Sequence, residues 1–213
     1  MLSYRKLLLA PLALALAALC LGAASSAHAA PIINATGIAS PATTITFEEF
    51  VFASGTPLTN QYASLGVTFT GATYDPRPGF TGVGISGRTA GNFVLSSGVT
   101  TNPFSINFLT PQTAAAFGLL TNSGTTTFTA LLNGVVVESF TAPTGVAGGF
   151  FGFSGITFNQ IQISAGGING AALFDTIQFN SQAAATPEPA TLVLLGTGLT
   201  GLVGAARRRR QVR

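Results

Sequence analysis

Few side chains in this sequence can do chemistry. Its single cysteine, Cys20, and its single histidine, His28, both lie within the first 30 residues. That segment reads as a removable export signal, and without it the chain has neither thiol nor imidazole. Disulfides, Cys/His zinc sites, Ser-His-Asp triads and Cys-His dyads then fall away together. Between Pro31 and Gln182 the ionisable groups are Glu48, Glu49, Asp75, Glu138 and Asp175, with Arg77 and Arg88 as the only bases. A hydrolase that works with carboxylates alone needs two of them facing one cleft at about 5–10 Å. No second acid stands beside Glu138, so the expectation is a protein that is not an enzyme. The densest local grouping is Tyr74-Asp75-Pro76-Arg77-Pro78-Gly79-Phe80. It offers Tyr74, Asp75 and Arg77 as a ligand loop on a proline-stiffened turn. An Asp75–Arg77 contact inside the loop accounts for the same residues without a ligand. The glycine-rich run from Gly79 to Gly91 lacks phosphate-loop spacing and a following helix, which argues against nucleotides.

The charge distribution excludes a class of partner. Formal net charge is +3, yet Arg5, Lys6, Arg207, Arg208, Arg209, Arg210 and Arg213 all lie in the two ends. The interior, two arginines against five acids, carries −3. Nucleic-acid binding needs cations along the contact face to displace counterions, so no nucleic-acid partner is expected. Charged residues are 7% of the chain, against roughly 25% in average soluble proteins. So few charges leave little electrostatic repulsion between copies.

Both ends read as signals. Arg5 and Lys6 precede an apolar run from Leu7 to Gly22, and Ala27-His28-Ala29 supplies small residues for signal peptidase cleavage after Ala29. Residues 1–29 are therefore a signal peptide and 30–42 an N-terminal segment. At the other end, 183–189 is a linker that closes on Pro187-Glu188-Pro189. Residues 190–206 run without a charge, and 207–213 form a basic cytoplasmic tail. Seventeen residues at about 1.5 Å each reach about 26 Å, enough to cross a hydrocarbon core as a single helix. Arg207, Arg208, Arg209 and Arg210 would stop the span with its far end in the cytoplasm. Four glycines weaken that helix, which suits transient anchoring.

The middle, 43–182, alternates apolar and polar residues between Gly, Pro and Asn breaks. Ile45 and Phe47, Val67 and Phe69, Phe104, Ile106 and Phe108, Ile161 and Ile163, and Ile177 and Phe179 fall on this period. Asn133-Gly134 between TTTFTALL and VVVESF predicts a type I′ hairpin. About ten short strands of this kind predict an all-β, jelly-roll-like β-sandwich. The 17 phenylalanines read as core, and the domain holds no Trp and only Tyr62 and Tyr74. That argues against a flat sugar-stacking surface.

Pro-Glu-Pro, a short apolar span and an arginine cluster, in that order, resemble the PEP-CTERM sorting domain read by exosortase. The resemblance implies cleavage near Pro187, Glu188 and Pro189, with exosortase as a processing partner. It also implies a Gram-negative host that makes extracellular polysaccharide, and transfer to the cell surface or beyond. More loosely, the segment from Thr59 to Phe69, preceded by Phe47-Glu48-Glu49-Phe50 and followed by Phe174-Asp175-Thr176-Ile177, is similar to secreted β-sandwich domains of such proteins. That likeness implies a Ca²⁺ held by Glu48, Glu49 and Asp175 between first and last strands. Solvated strand positions account equally for the two glutamates. The expected function is an exported, non-enzymatic cell-surface or extracellular-matrix protein. The alternative is a carbohydrate-binding module for polysaccharide.

Overall fold

The computed structural model of the chain describes residues 30–76, 79–94 and 97–181. Strands β1 (Ala30–Asn34), β2 (Thr43–Ile45), β3 (Pro57–Leu58), β4 (Val67–Thr70), β5 (Ala72–Asp75) and β6 (Thr89–Gly91) are short. They are followed by β7 (Phe104–Thr121), β8 (Gly124–Leu132), β9 (Val135–Thr144), β10 (Gly149–Ser164) and β11 (Ala172–Ser181). All belong to one sheet with the path β3-β5-β6-β11-β7-β10-β8-β9, to which β1 adds on β10, β2 on β11 and β4 on β7. The all-β expectation holds, with one continuous antiparallel sheet. Among the described residues no helix is long and apolar enough to cross a membrane, and the span read at 190–206 lies outside them.

Two long strands shape the sheet. The first half of β7 pairs with β4 and the second half of β10; its second half pairs with β11 and the first half of β10. Between these halves the β7–β10 register shifts twice, between Ser154 and Phe158 and again between Phe158 and Gln160, the second time opposite a stretch of β7 that includes Pro111. An inserted residue and a missing N–H bend a strand, and here both long strands turn at one level. The halves then face each other across a phenylalanine core. Phe104 stacks on Phe174 at 5.2 Å, Phe128 on Phe151 at 5.0 Å, and Phe108 meets Phe179 at 5.3 Å. Every residue of the alternating pairs named above is buried. Fully burying each such side chain contributes roughly 1.5–3 kcal/mol.

The sheet begins before residue 43. Ala30-Pro31-Ile32-Ile33-Asn34 is a strand paired with Phe150–Ser154, so the N-terminal segment is part of the fold. Its edges are blunted. Pro31, Pro57 and Pro143 interrupt β1, β3 and β9, removing N–H donors where strand addition would occur. The outer side of β4 is covered, with Phe69 N–H donating to Thr59 O at 2.8 Å. On β9 the register shifts opposite Ala130 and Leu131, and Ser139 N–H donates to the Glu138 carboxylate at 2.9 Å.

Pairing also fixes where the two ends of the domain emerge. Ala30 pairs with Ser154, Ser154 with Ala114, and Ala114 with Asn180. First and last strands thus finish in one row, three strand spacings or about 15 Å apart. The opposite pole is made by Thr121, Ala172 and the loops near them. It lies nine residues up β11 from Ser181, about 30 Å at strand rise.

Candidate functional site

Glu48 and Glu49 sit in a turn after β2, not in a strand, because Glu49 folds back on its own backbone. Its Oε1 accepts from Thr46 N–H at 2.7 Å and from the Thr46 hydroxyl at 3.1 Å. The same turn places Phe47 at φ 60°, a left-handed position rarely held by a bulky residue. The cost is offset by its fully buried ring, which lies 5.1 Å from Tyr62 and 5.7 Å from Phe174. Glu48 turns the other way. It pairs with the Arg88 guanidinium at 2.8 Å and accepts Arg88 N–H at 2.6 Å.

Asp175 is fully buried. Its Oδ2 accepts Ser86 N–H at 2.9 Å and its Oδ1 accepts Thr176 N–H at 2.5 Å, at a bulge where Thr176 has φ 47°. Burial pushes this carboxyl from 3.8 up to about 7, the two N–H bonds pull it down, and Glu48 and Glu49 add to the rise. The three acids predicted as calcium ligands thus share a neighbourhood, and each is committed to other partners. Among the described residues no three metal-ligating side chains converge as a site. Asp175 instead fastens the loop after residue 82 onto β11.

The predicted ligand loop is placed differently from its expectation. Tyr74 is fully buried, and its hydroxyl donates to Phe50 O at 3.1 Å. Asp75 is buried at the end of β5. Arg77 lies outside the described residues. Tyr62 is also core, so neither tyrosine offers an exposed ring. What the loop presents is its next turn, Gly79 to Thr81, whose Phe80 closes the predicted grouping but was not named as a ligand residue.

That turn forms one wall of an open cleft of about 400 Å³ at the pole made by Thr121 and Ala172, opposite Ala30 and Asn180. Phe80, Phe93, Leu120, Val146 and Leu173 are the large apolar residues of its lining, and Thr81 and Asn122 are polar ones, the Asn122 amide also donating to Ile168 O at 3.2 Å. None of the described residues lining it carries a charge. Buried polar side chains hold its walls. Asn92 donates to Thr101 O and Gly170 O, at 3.0 and 2.8 Å, and accepts Ala172 N–H at 2.8 Å. The Thr121 hydroxyl bonds Thr144 at 2.7 Å, which bonds Thr126 at 2.7 Å. Val83 N–H donates to Ala147 O at 3.0 Å, and Gly84 lies directly against Gly118, where any Cβ would overlap the Gly84 carbonyl.

Sequence comparison assigns the segment behind β11. Residues 185–210 match the PEP-CTERM protein-sorting motif, which takes in Pro187, Glu188, Pro189 and Arg207 to Arg210. No curated protein and no solved structure matches the chain. The motif is that of exported precursors that transit the membrane and are sorted by exosortase. Signal cleavage at Ala27 and Ala29, and the sorting residues themselves, fall outside the described residues. The chain carries a PEP-CTERM protein-sorting motif, which starts just beyond the last strand of the sheet.

Proposed function

We propose that this protein is an exported, non-enzymatic component of the cell surface or extracellular matrix. Signal peptidase removes residues 1–29. The span at 190–206 halts in the inner membrane against Arg207, Arg208, Arg209 and Arg210. Exosortase then cleaves near Pro187 to Pro189 and passes the β domain outward. The observation that carries this reading is the sorting motif at 185–210, close behind Ser181. Five residues separate Ser181 from Pro187, so at about 3.4 Å per residue the motif stands within roughly 20 Å of the sheet. The pole that holds Ala30 and Asn180 therefore faces the membrane in the precursor, and the cleft faces away from it. Absence of enzymatic activity is supported by the committed acids: Glu48 in an ion pair, Glu49 in its own turn, Asp175 on backbone N–H groups.

The carbohydrate-binding alternative is favoured by the preformed cleft, whose described lining residues carry no charge. The sorting reading is tested by the intact mass of the protein from its host, with and without an active exosortase gene. Loss of the segment after the motif only when exosortase is active is the expected result. A mature protein that retains Ala190–Arg213 in both strains contradicts it.

A further inference from the structure

We propose that the membrane-distal cleft binds one or two residues of a neutral saccharide; this deepens the carbohydrate-binding alternative and rests on the outward display just described. At about 400 Å³ the cleft is at the small end of ligand sites, which run from about 300 to 1,000 Å³. Its size suits a single sugar chain rather than the face of a crystalline polymer, for which the protein lacks a flat row of Trp or Tyr. A sugar ring has an apolar C–H face and a rim of hydroxyls. The cleft matches both, with the Phe80 and Phe93 side chains as apolar wall and the Thr81 hydroxyl and Asn122 amide as polar partners. Phe80 keeps 39% of its surface exposed in a domain whose other rings are largely core.

Charge complementarity narrows the ligand further. An acidic or amino sugar, or a phosphorylated headgroup, would meet no counter-charge among the described lining residues. The Asn122 amide already donates one N–H to Ile168 O at 3.2 Å, so a purely apolar ligand would cover its remaining polar capacity and the Thr81 hydroxyl, and a buried polar group without a partner costs about 1–3 kcal/mol. The walls are fixed before a ligand arrives. The Gly79–Thr81 turn leads into a loop tied down at Val83, Gly84 and Ser86, while Asn92 and Thr121 fasten the facing segments. Such preorganisation reduces the ordering cost of binding. At this end of the sheet, about 30 Å up β11 from the anchor side, the ligand is a glycan outside the membrane.

The test uses the full chain, purified in a detergent without a sugar headgroup. Saturation-transfer NMR would be recorded with cellobiose, maltose and lactose, with glucuronic acid and glucosamine, and with n-octanol. At least one neutral disaccharide should bind at about 20 mM or below, and Phe80→Ala and Asn122→Ala should each weaken it at least about tenfold. Both sites are at the surface, so unchanged melting temperatures would separate lost binding from lost fold. No transfer to any neutral disaccharide overturns the proposal. So does preference for the charged sugars or octanol, or binding indifferent to both substitutions. The mass test of sorting is read separately, so failure of either leaves the other interpretable.

Discussion

Replacing Asp175 with asparagine tests the interior electrostatics of this charge-poor domain. The folded protein holds the Asp175 carboxyl at about 7 and the unfolded chain at its ordinary value near 3.8, chiefly because burial disfavours the charge. The folded state therefore binds more protons than the unfolded state between those two values. Stability is greatest at the acid end of the window and falls as pH rises from about 4 to about 7. Three pH units at about 1.4 kcal/mol each set a ceiling of about 4 kcal/mol on the loss. Relaxation around the ionised group brings the expected loss to about 2–4 kcal/mol, a large share of a typical 5–15 kcal/mol stability. The amide of the Asp175→Asn variant cannot ionise, so its curve should be flat across the window. One of the two N–H donors, from Ser86 or Thr176, then meets an amide N–H₂, at a cost of about 1–3 kcal/mol. The variant should be less stable than wild type near pH 4.5 and equal or better at pH 8. Urea unfolding of the mature protein at half-unit steps from pH 4.5 to 8.5 measures both curves. A wild-type curve that rises across this range, or parallel curves for the two proteins, would refute the argument.

Phe128→Ala removes the ring between Phe140 at 4.9 Å and Phe151 at 5.0 Å, and should cost about 3–5 kcal/mol in denaturant unfolding. Gly118→Ala drives a methyl into the Gly84 carbonyl, so it should destabilise by about 1–3 kcal/mol and loosen the cleft loop, read as faster amide exchange at Val83. The double variant Glu138→Ala, Pro143→Thr frees Ser139 N–H and supplies a donor on β9. Sedimentation should show it associating at lower concentrations than wild type, and equal behaviour would mean that other features blunt that edge.

How much of this was legible in the sequence varied with the range of the forces involved. The Asn133-Gly134 hairpin was readable because its cause is local: φ values of 52° and 81° suit those two residues. Phe104, Ile106 and Phe108 were readable because they form apolar core while the residues between them, Ser105 and Asn107, are polar. That signal fails for Ala115 to Leu119, buried throughout, because the loop at Gly84 covers the outer face. β1 was missed because five residues containing a proline carry little periodicity. The acids were assigned to calcium from motif likeness. Their partners in the structure, Ser86 N–H for Asp175 and Arg88 for Glu48, stand 89 and 40 positions away. The cleft joins segments near residues 80, 93, 121, 146 and 172, none distinctive alone. The Tyr74–Phe80 stretch pointed to the right loop, but of the side chains it named Tyr74 and Asp75 are buried and Arg77 lies outside the described residues.

The central claim is that the C-terminal segment is a sorting signal consumed in use, and intact mass spectrometry of protein from its own host tests it most directly. Wild type should be found outside the inner membrane and lack Ala190–Arg213. A variant with Pro187, Glu188 and Pro189 replaced by alanine should remain in the inner membrane at full precursor length less the signal peptide. Wild-type protein that keeps Ala190–Arg213 and stays in the inner membrane would contradict the account, leaving the tail as an anchor alone.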